Sequence, residues 1–326
     1  MTDVRLRDGI RIELANGTTT VADARVPDGD VALLSHAHGD HLYDEPPEAV
    51  VASSLTLDLA EIRRSDGERP DIADHPAVET MSAGHVPGSL GFRVGENPSY
   101  LYTGDCSTRD RFGMAGFEPV DADVLIVEST YGKPAYRFPD QSAVEAEIVD
   151  WLVDTRDSPV MLMGYALGRA QELLRLADRA ERSRIFMTPA IENLNRPITA
   201  ATGREFRGSV YEDETELGPG DALVLPSQTN SLSFVDRLQE KTGAVKAGFS
   251  GWATADSYRF ARDLDVAFPL SDHCDFEELL SVVRRVDPDR VYTVHGFVDE
   301  FATAIKSRLG IEATALKRNQ TALGDF

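Results

Sequence analysis

Six short apolar runs in this chain each end on a residue able to bind a metal or move a proton. Val31–Leu34 leads into Ser35-His36-Ala37-His38-Gly39-Asp40-His41, and Val78–Met81 runs on to His85. Ser99–Tyr102 leads to Asp105, Val124–Val127 to Glu128, Ala267–Leu270 to His273, and Val291–Val294 to His295. Short β-rich runs bounded by Gly, Pro, Asp or Ser read as strands. Open α/β architectures gather their chemistry at the C-terminal ends of such strands. One such residue alone is ordinarily a structural polar group; the placement shared by six points to a site.

The remaining pattern agrees with an α/β chain. Further strands are read at Val160–Met163, Ile185–Met187 and Ala222–Leu225. Apolar residues recur at helical spacing over Ala143–Val153, Arg169–Ala180, Ser231–Leu238 and Phe276–Val286, with a weaker helix near Leu55–Arg64. Residues 1–134 read mainly as strands, hairpins and loops. Residues 135–268 alternate helix and strand, as a doubly wound sheet does, and 269–326 return to one strand with flanking helices. The first boundary follows Gly132-Lys133-Pro134.

Charge and composition exclude several classes. No run approaches 18 apolar residues, so no transmembrane helix is expected. Met1–Gly9 lacks the basic-then-apolar pattern of a secretory leader. Cys106 and Cys274 are the only cysteines, which excludes a disulfide framework. A cytoplasmic protein without membrane attachment is expected. The net charge is −22, and of 33 basic residues only 5 are lysine. An acid-rich, arginine-retaining, lysine-poor surface suits a halophilic cytoplasm, where salt screens self-repulsion. The same charge repels a polyanion, so such a substrate needs local arginines or metal cations.

Three of the seven histidines fall in the His36–His41 stretch. His36 and His38 can bind one ion from one side of this loop, while Asp40 and His41 face a second. Imidazole nitrogen and carboxylate oxygen are suitable zinc ligands. His75, in Ala73-Asp74-His75-Pro76, reads as a surface-loop residue. The cysteines flank Asp105 and His273 and read as packing rather than ligands.

At these residues the chain resembles the metallo-β-lactamase superfamily, through His36-Ala37-His38-Gly39-Asp40-His41. It resembles the β-CASP nuclease branch more closely. The supporting strings are Gly84-His85-Val86-Pro87-Gly88-Ser89, Tyr102-Thr103-Gly104-Asp105, Glu128-Ser129-Thr130-Tyr131-Gly132, Ala166-Leu167-Gly168-Arg169-Ala170-Gln171-Glu172, Ser271-Asp272-His273-Cys274-Asp275-Phe276 and His295-Gly296. That branch includes the cleavage nuclease of messenger-RNA 3′-end processing, ribonuclease J and DNA-repair exonucleases. Phe117-Glu118-Pro119-Val120 and Lys133–Pro139 look most like the ligase-associated DNA exonucleases.

The resemblance implies an αββα metallo-β-lactamase sandwich (1–134 and 269–326) with an inserted α/β β-CASP cap (135–268). It implies two Zn²⁺ ions, with Mn²⁺ as a substitute. His36, His38, His85 and Asp105 would hold the first; Asp40, His41, His295 and a bridging Asp105 would hold the second. Asp23, in Val21-Ala22-Asp23-Ala24, would orient the histidine loop, and Glu128 and His273 would form the branch's acid pair. Two departures stand out. Pro226-Ser227-Gln228-Thr229-Asn230-Ser231 replaces a glycine-rich turn of the late cap, and His295-Gly296-Phe297 replaces the His-Gly-Glu of RNA-processing members.

Two metal ions about 3.5–4 Å apart can activate a water and clamp phosphate oxygens. Asp40, His273 and Glu128 are therefore the catalytic candidates, with His273 as general acid. Arg169, at the start of a helical pattern, is a candidate phosphate contact, with an ion pair as the alternative. The expected activity is a zinc-dependent nuclease, an exonuclease acting on single-stranded DNA or RNA. A small-molecule hydrolase, such as a thioesterase or lactonase, shares the first metal motifs but leaves the insert and His273 unexplained. An inactive scaffold is expected to lack metal ligands, and none is missing.

Overall fold

A computed structural model describes residues 4–64, 68–212 and 214–317. The chain forms two compact units, Met1–Ala135 with His273–Phe326, and Tyr136–Asp272. The sequence reading placed these joins at 134/135 and 268/269.

The first unit holds two six-stranded sheets. One runs in the order Val4–Leu6, Ile10–Glu13, Thr19–Ala22, Val31–Leu33, Ala49–Val51, Asp71–Ile72. Its first three strands are antiparallel and the rest parallel. The turn between the second and third uses Gly17 at φ +88°, which glycine adopts without steric cost, and Asn16 Oδ1 accepts from the Thr18 amide at 2.9 Å. The other sheet runs Glu312–Ala315, Arg290–Val294, Val124–Glu128, Tyr100–Tyr102, Leu90–Val94, Val78–Ser82. Its first four strands are parallel, followed by an antiparallel meander.

Alternation along the strands builds two cores. Ile126 faces inward with Tyr102, Phe92, Tyr292 and Val294, and meets Ile10, Ile12, Ala22 and Leu33 of the other sheet. Leu125 and Val127 point the opposite way, against the helices Phe276–Val286 and Val298–Leu309. The first of these helices buries Phe276, Leu279, Leu280, Val282, Val283 and Val286, each such burial contributing roughly 1.5–3 kcal/mol. Its capping box closes through Glu278 N to Asp275 Oδ1 at 2.9 Å and Asp275 N to Glu278 Oε2 at 2.8 Å, worth about 1 kcal/mol. The cap residue Asp275 stands two residues after His273 and fixes where the helix starts. The helix Ser54–Arg63, capped by Ser53, buries Leu55, Leu57, Leu59 and Ala60.

The second unit is one parallel sheet in the order Ser209–Val210, Ile185–Met187, Ala222–Pro226, Val160–Gly164, Val245–Phe249, Val266–Phe268. Both faces are covered. Val160, Leu162, Val224 and Phe249 pack on one side with residues of the helices Gln141–Asp154 and Arg169–Arg179, while Met161, Met163, Leu223 and Leu225 pack on the other with Val235. Coverage of both faces explains why these strands read as unbroken apolar runs. The sequence reading passed over the helix Pro189–Thr202, whose pattern Pro189 and Pro197 interrupt, and the strand Glu312–Ala315. The final segment therefore has two strands, not one. Among the described residues no helix is long and apolar enough to cross a membrane.

Candidate metal centre

Sheet register brings the strand-end residues together. Tyr102 pairs with Ile126, and Ile126 with Tyr292. Asp105, Glu128 and His295 follow those residues at the same edge of the sheet, Glu128 as the last residue of its strand. In the neighbouring sheet Ala22 pairs with Leu33, which places Asp23 beside the start of the histidine loop.

Asp23 is the hub of this loop. Its backbone is left-handed, at φ 52°. Its Oδ1 accepts from Ser35 N at 2.7 Å; its Oδ2 accepts from Ser35 Oγ at 2.6 Å, Tyr102 Oη at 2.7 Å and His41 Nδ1 at 2.9 Å. Burial pushes this carboxyl up, but the His41 charge and the bonds from His41 and Ser35 outweigh it and hold Asp23 below the ordinary range. The Ser35 hydroxyl proton is committed to Asp23. His36 Nδ1, 2.9 Å from Ser35 Oγ, is therefore the donor of that pair, and its Nε2 carries the lone pair. That Nε2 is buried with no hydrogen-bond partner. His41 likewise donates through Nδ1, which leaves Nε2 for a ligand.

The freed nitrogens converge on Asp105. His36 Nε2 and His41 Nε2 each lie 3.6 Å from Asp105 Oδ2, and His85 Nε2 lies 3.8 Å from it. His85 Nε2 and His38 Nδ1 are 3.1 Å apart. Ligands on a tetrahedral ion with bonds of ~2.0–2.1 Å stand ~3.3–3.4 Å from one another, so the spacing suits one. His36, His38, His85 and Asp105 form one donor group, and His41, Asp105 and His295 another, with donor atoms within 4.8 Å in each. Asp105 belongs to both.

The electrostatics also fit a cation. Burial and the neighbouring imidazoles drive His36 well below its usual value, which keeps it neutral, as a metal ligand must be. Burial depresses His41 too, yet Asp105 and Asp23 reverse this and push it up to about 9. The site thus calls for positive charge at that point.

His295 has φ 56°, and its carbonyl and that of Val294 accept from Ser129 Oγ. At Gly296, φ +64°, a Cβ would lie 2.4 Å from Thr130 Cα. Only glycine lets this turn close against Ser129-Thr130, so the His295-Gly296 dipeptide is a geometric requirement. Glu128 is fully buried. It accepts from Cys106 N and Thr130 N, each at 3.1 Å, and its Oε1 lies 2.8 Å from His273 Nδ1. Burial raises the Glu128 carboxyl, but His273 and these bonds hold it below the ordinary range. The His273 ring sits 4.5 Å from that of His85.

Other expected residues fall differently. Asp40 is exposed, comes no nearer to His41 Nε2 than 3.9 Å, and joins neither donor group. Arg169 is buried; Nη1 bonds Glu172 and Nη2 lies 3.2 Å from Asp272. Both Nη atoms thus meet carboxylates, which is the ion-pair alternative in a buried form. His75 accepts from the Ala77 amide in its own turn. Cys106 and Cys274 are buried with sulfurs 4.0 Å apart and join no donor group. Sequence reasoning missed Ser35 and Tyr102; only their placement beside the histidine loop and before Asp105 could have drawn attention to them.

Residues 266–316 match the model of the Zn-dependent metallo-hydrolase RNA specificity domain, a span that includes His273 and His295. A probable DNA ligase of Opitutus terrae is 32% identical over 90% of this chain and 29% of its own length. RNase aCSPSF2 of Saccharolobus solfataricus is 27% identical over 78% of this chain and 60% of its own. These likenesses agree with the resemblance of the chain to the β-CASP nuclease branch of the metallo-β-lactamase superfamily. Other relatives include a probable RNase MJ4 of Methanocaldococcus jannaschii, 27% identical over 47% of this chain and 46% of its own length. The chain spans less than two thirds of each of these relatives. The paired sheets carry the donor groups, and Tyr136–Asp272 interrupts their chain as a separate α/β unit.

Proposed function

We propose that this chain is a metal-dependent nuclease that hydrolyses phosphodiesters of single-stranded nucleic acid, as an exonuclease in DNA repair or RNA 3′-end processing. The sharing of Asp105 by two donor groups, beside the Glu128–His273 pair, carries this reading. His36, His38, His85 and Asp105 would hold one Zn²⁺ or Mn²⁺; His41, His295 and Asp105 would hold a second, with Asp40 beside His41 as a further candidate ligand. Bound there, such ions supply Lewis acidity to phosphate oxygens and an acidified water.

The chain's own residues do the rest. Asp23 and Ser35 hold the His36 and His41 rings with their lone pairs inward. Glu128 fixes His273 through Nδ1 and favours its protonated form, so Nε2 carries the proton that a departing sugar oxygen needs. General-acid help of this kind is worth roughly 10²–10⁴-fold. Arg169 would brace the helix start through Glu172 and Asp272 rather than touch phosphate.

The DNA ligase relative, aligned over 90% of the chain, supports a DNA end as substrate. The RNA specificity domain and the RNase relatives support RNA. A small-molecule hydrolase leaves the inserted unit and the His273 pair without a role. The charge of −22 with 5 lysines suits work in a salt-rich cytoplasm. The test is Asp40→Ala with Asp105→Ala, assayed on 5′- and 3′-labelled DNA and RNA at molar salt. Loss of cleavage is expected; unchanged cleavage rejects the reading.

A further inference from the structure

Within the Tyr136–Asp272 unit, the chain reverses direction across its parallel sheet. It leaves Val160–Gly164 for strands on one side and later crosses to Val245–Phe249 on the other. Ligands of open α/β sheets bind outside the carboxyl ends of strands at such a switch point. A cleft lies there, lined by Met163 and Tyr165 at the end of one strand, Ser227 past the next and Phe249-Ser250 at the end of the third. Four of its ten lining residues are aromatic, against 8% of the whole chain. Tyr165 is 54% exposed. Trp252 is half-buried, its ring edge-on to Tyr136 at 5.1 Å. Tyr258 and the exposed Arg262 complete the wall.

No lining residue is acidic, in a chain with 55 Asp and Glu. A phosphate-bearing ligand, repelled by the mean charge, would meet here a cation without an opposing carboxylate. Aromatic faces beside an arginine are the means by which proteins hold unpaired bases. Duplex bases are already stacked and cannot enter. We propose that this cleft is a base-stacking subsite for single-stranded nucleic acid, with Tyr165, Trp252 and Tyr258 as the platform and Arg262 as phosphate partner. The proposal deepens the nuclease reading and rests on it for its substrate class.

Trp252 provides the probe, since the other tryptophan, Trp151, lies outside the cleft lining and packs against Phe268 with ring centroids 5.4 Å apart. A nuclease-resistant phosphorothioate oligothymidylate is titrated into the full metal-loaded chain, beside an abasic oligomer of equal phosphate count. The oligothymidylate should quench Trp252, and the abasic oligomer should bind markedly less tightly. Tyr165→Ala should weaken binding about five- to a hundredfold, Tyr165→Phe should restore it, and Arg262→Ala should weaken both oligomers. Thermal melts check that each variant folds. Equal affinity for the abasic oligomer, no effect of Tyr165→Ala, or tighter binding of free AMP than of the oligomer overturns the proposal. Cleavage measured in parallel separates the two readings. A chain that cleaves but fails these titrations loses only the subsite; one that binds as described but never cleaves loses only the nuclease.

Discussion

Replacing Asp23 by Asn tests whether this buried carboxylate sets the ligand face of the histidine loop. The native Oδ2 faces three donors, Ser35 Oγ, Tyr102 Oη and His41 Nδ1, and Oδ1 faces Ser35 N–H. An amide cannot serve both sides. In one orientation its NH₂ points at the Ser35 N–H, in the other at the His41 Nδ1–H, and neither donor can turn away. Hydrogen bonds to a charged group are worth about 1.5–3 kcal/mol each, and neutral ones about 1. Three bonds weakened by about 0.5–2 kcal/mol each and one charged bond lost outright give an expected destabilisation of at least about 3 kcal/mol. His41 also loses the anion that strengthens it as a ligand, so zinc affinity should fall about 10–100-fold. Because Asp23 is held below its usual 3.8, its stabilisation is present above that pH and lost as pH falls through the lower native value. The gap between native and variant chains should therefore close in acid. Calorimetric zinc titration and urea melts of chelator-stripped protein read both effects. Tyr102→Phe is the control, since it removes one bond but keeps the charge, and should lower stability with little change in zinc affinity. A Asp23→Asn protein that is less stable but binds zinc as tightly as the native chain would refute the reasoning.

Three further outcomes are expected. His273→Ala should lower kcat by roughly 10²–10⁴-fold with zinc content unchanged, and Glu128→Gln should shift the pH profile of cleavage, measured on labelled oligonucleotides. The chelated chain should lose stability as pH rises from about 6.5 through about 9, because His41 is charged in the native site; zinc should remove this dependence and release protons on binding, seen by calorimetry in buffers of different ionisation enthalpy. Gly296→Ala, at φ +64° with a Cβ 2.4 Å from Thr130 Cα, should destabilise the fold by about 1–3 kcal/mol and loosen zinc through His295, read by melts and metal titration.

Much of the candidate site was legible because its donor residues follow strands, and a strand is legible as an apolar run between turn residues. His36, His38, His41, His85, Asp105 and His295 were named from that setting and come together. Register was not legible; the pairing of Tyr102, Ile126 and Tyr292 is a property of the sheet as a whole. Tyr102 and Ser35 escaped notice for the same reason. A strand tyrosine looks like core, and only the folded chain shows its hydroxyl reaching Asp23, 79 residues away. Arg169 was read from its helix position, yet its partner Asp272 is brought near only by tertiary structure. Pro189–Thr202 escaped because proline ordinarily ends a helical pattern, and Glu312–Ala315 because Glu and Ala are poor strand formers.

Metal analysis of the purified chain, coupled to a cleavage assay, probes the shared carboxylate most directly. Two zinc ions per native chain are predicted, with both sites weakened and cleavage abolished in Asp105→Ala. A native chain that cleaves oligonucleotides at full rate after exhaustive chelation, or an Asp105→Ala chain that keeps both ions, would contradict the account.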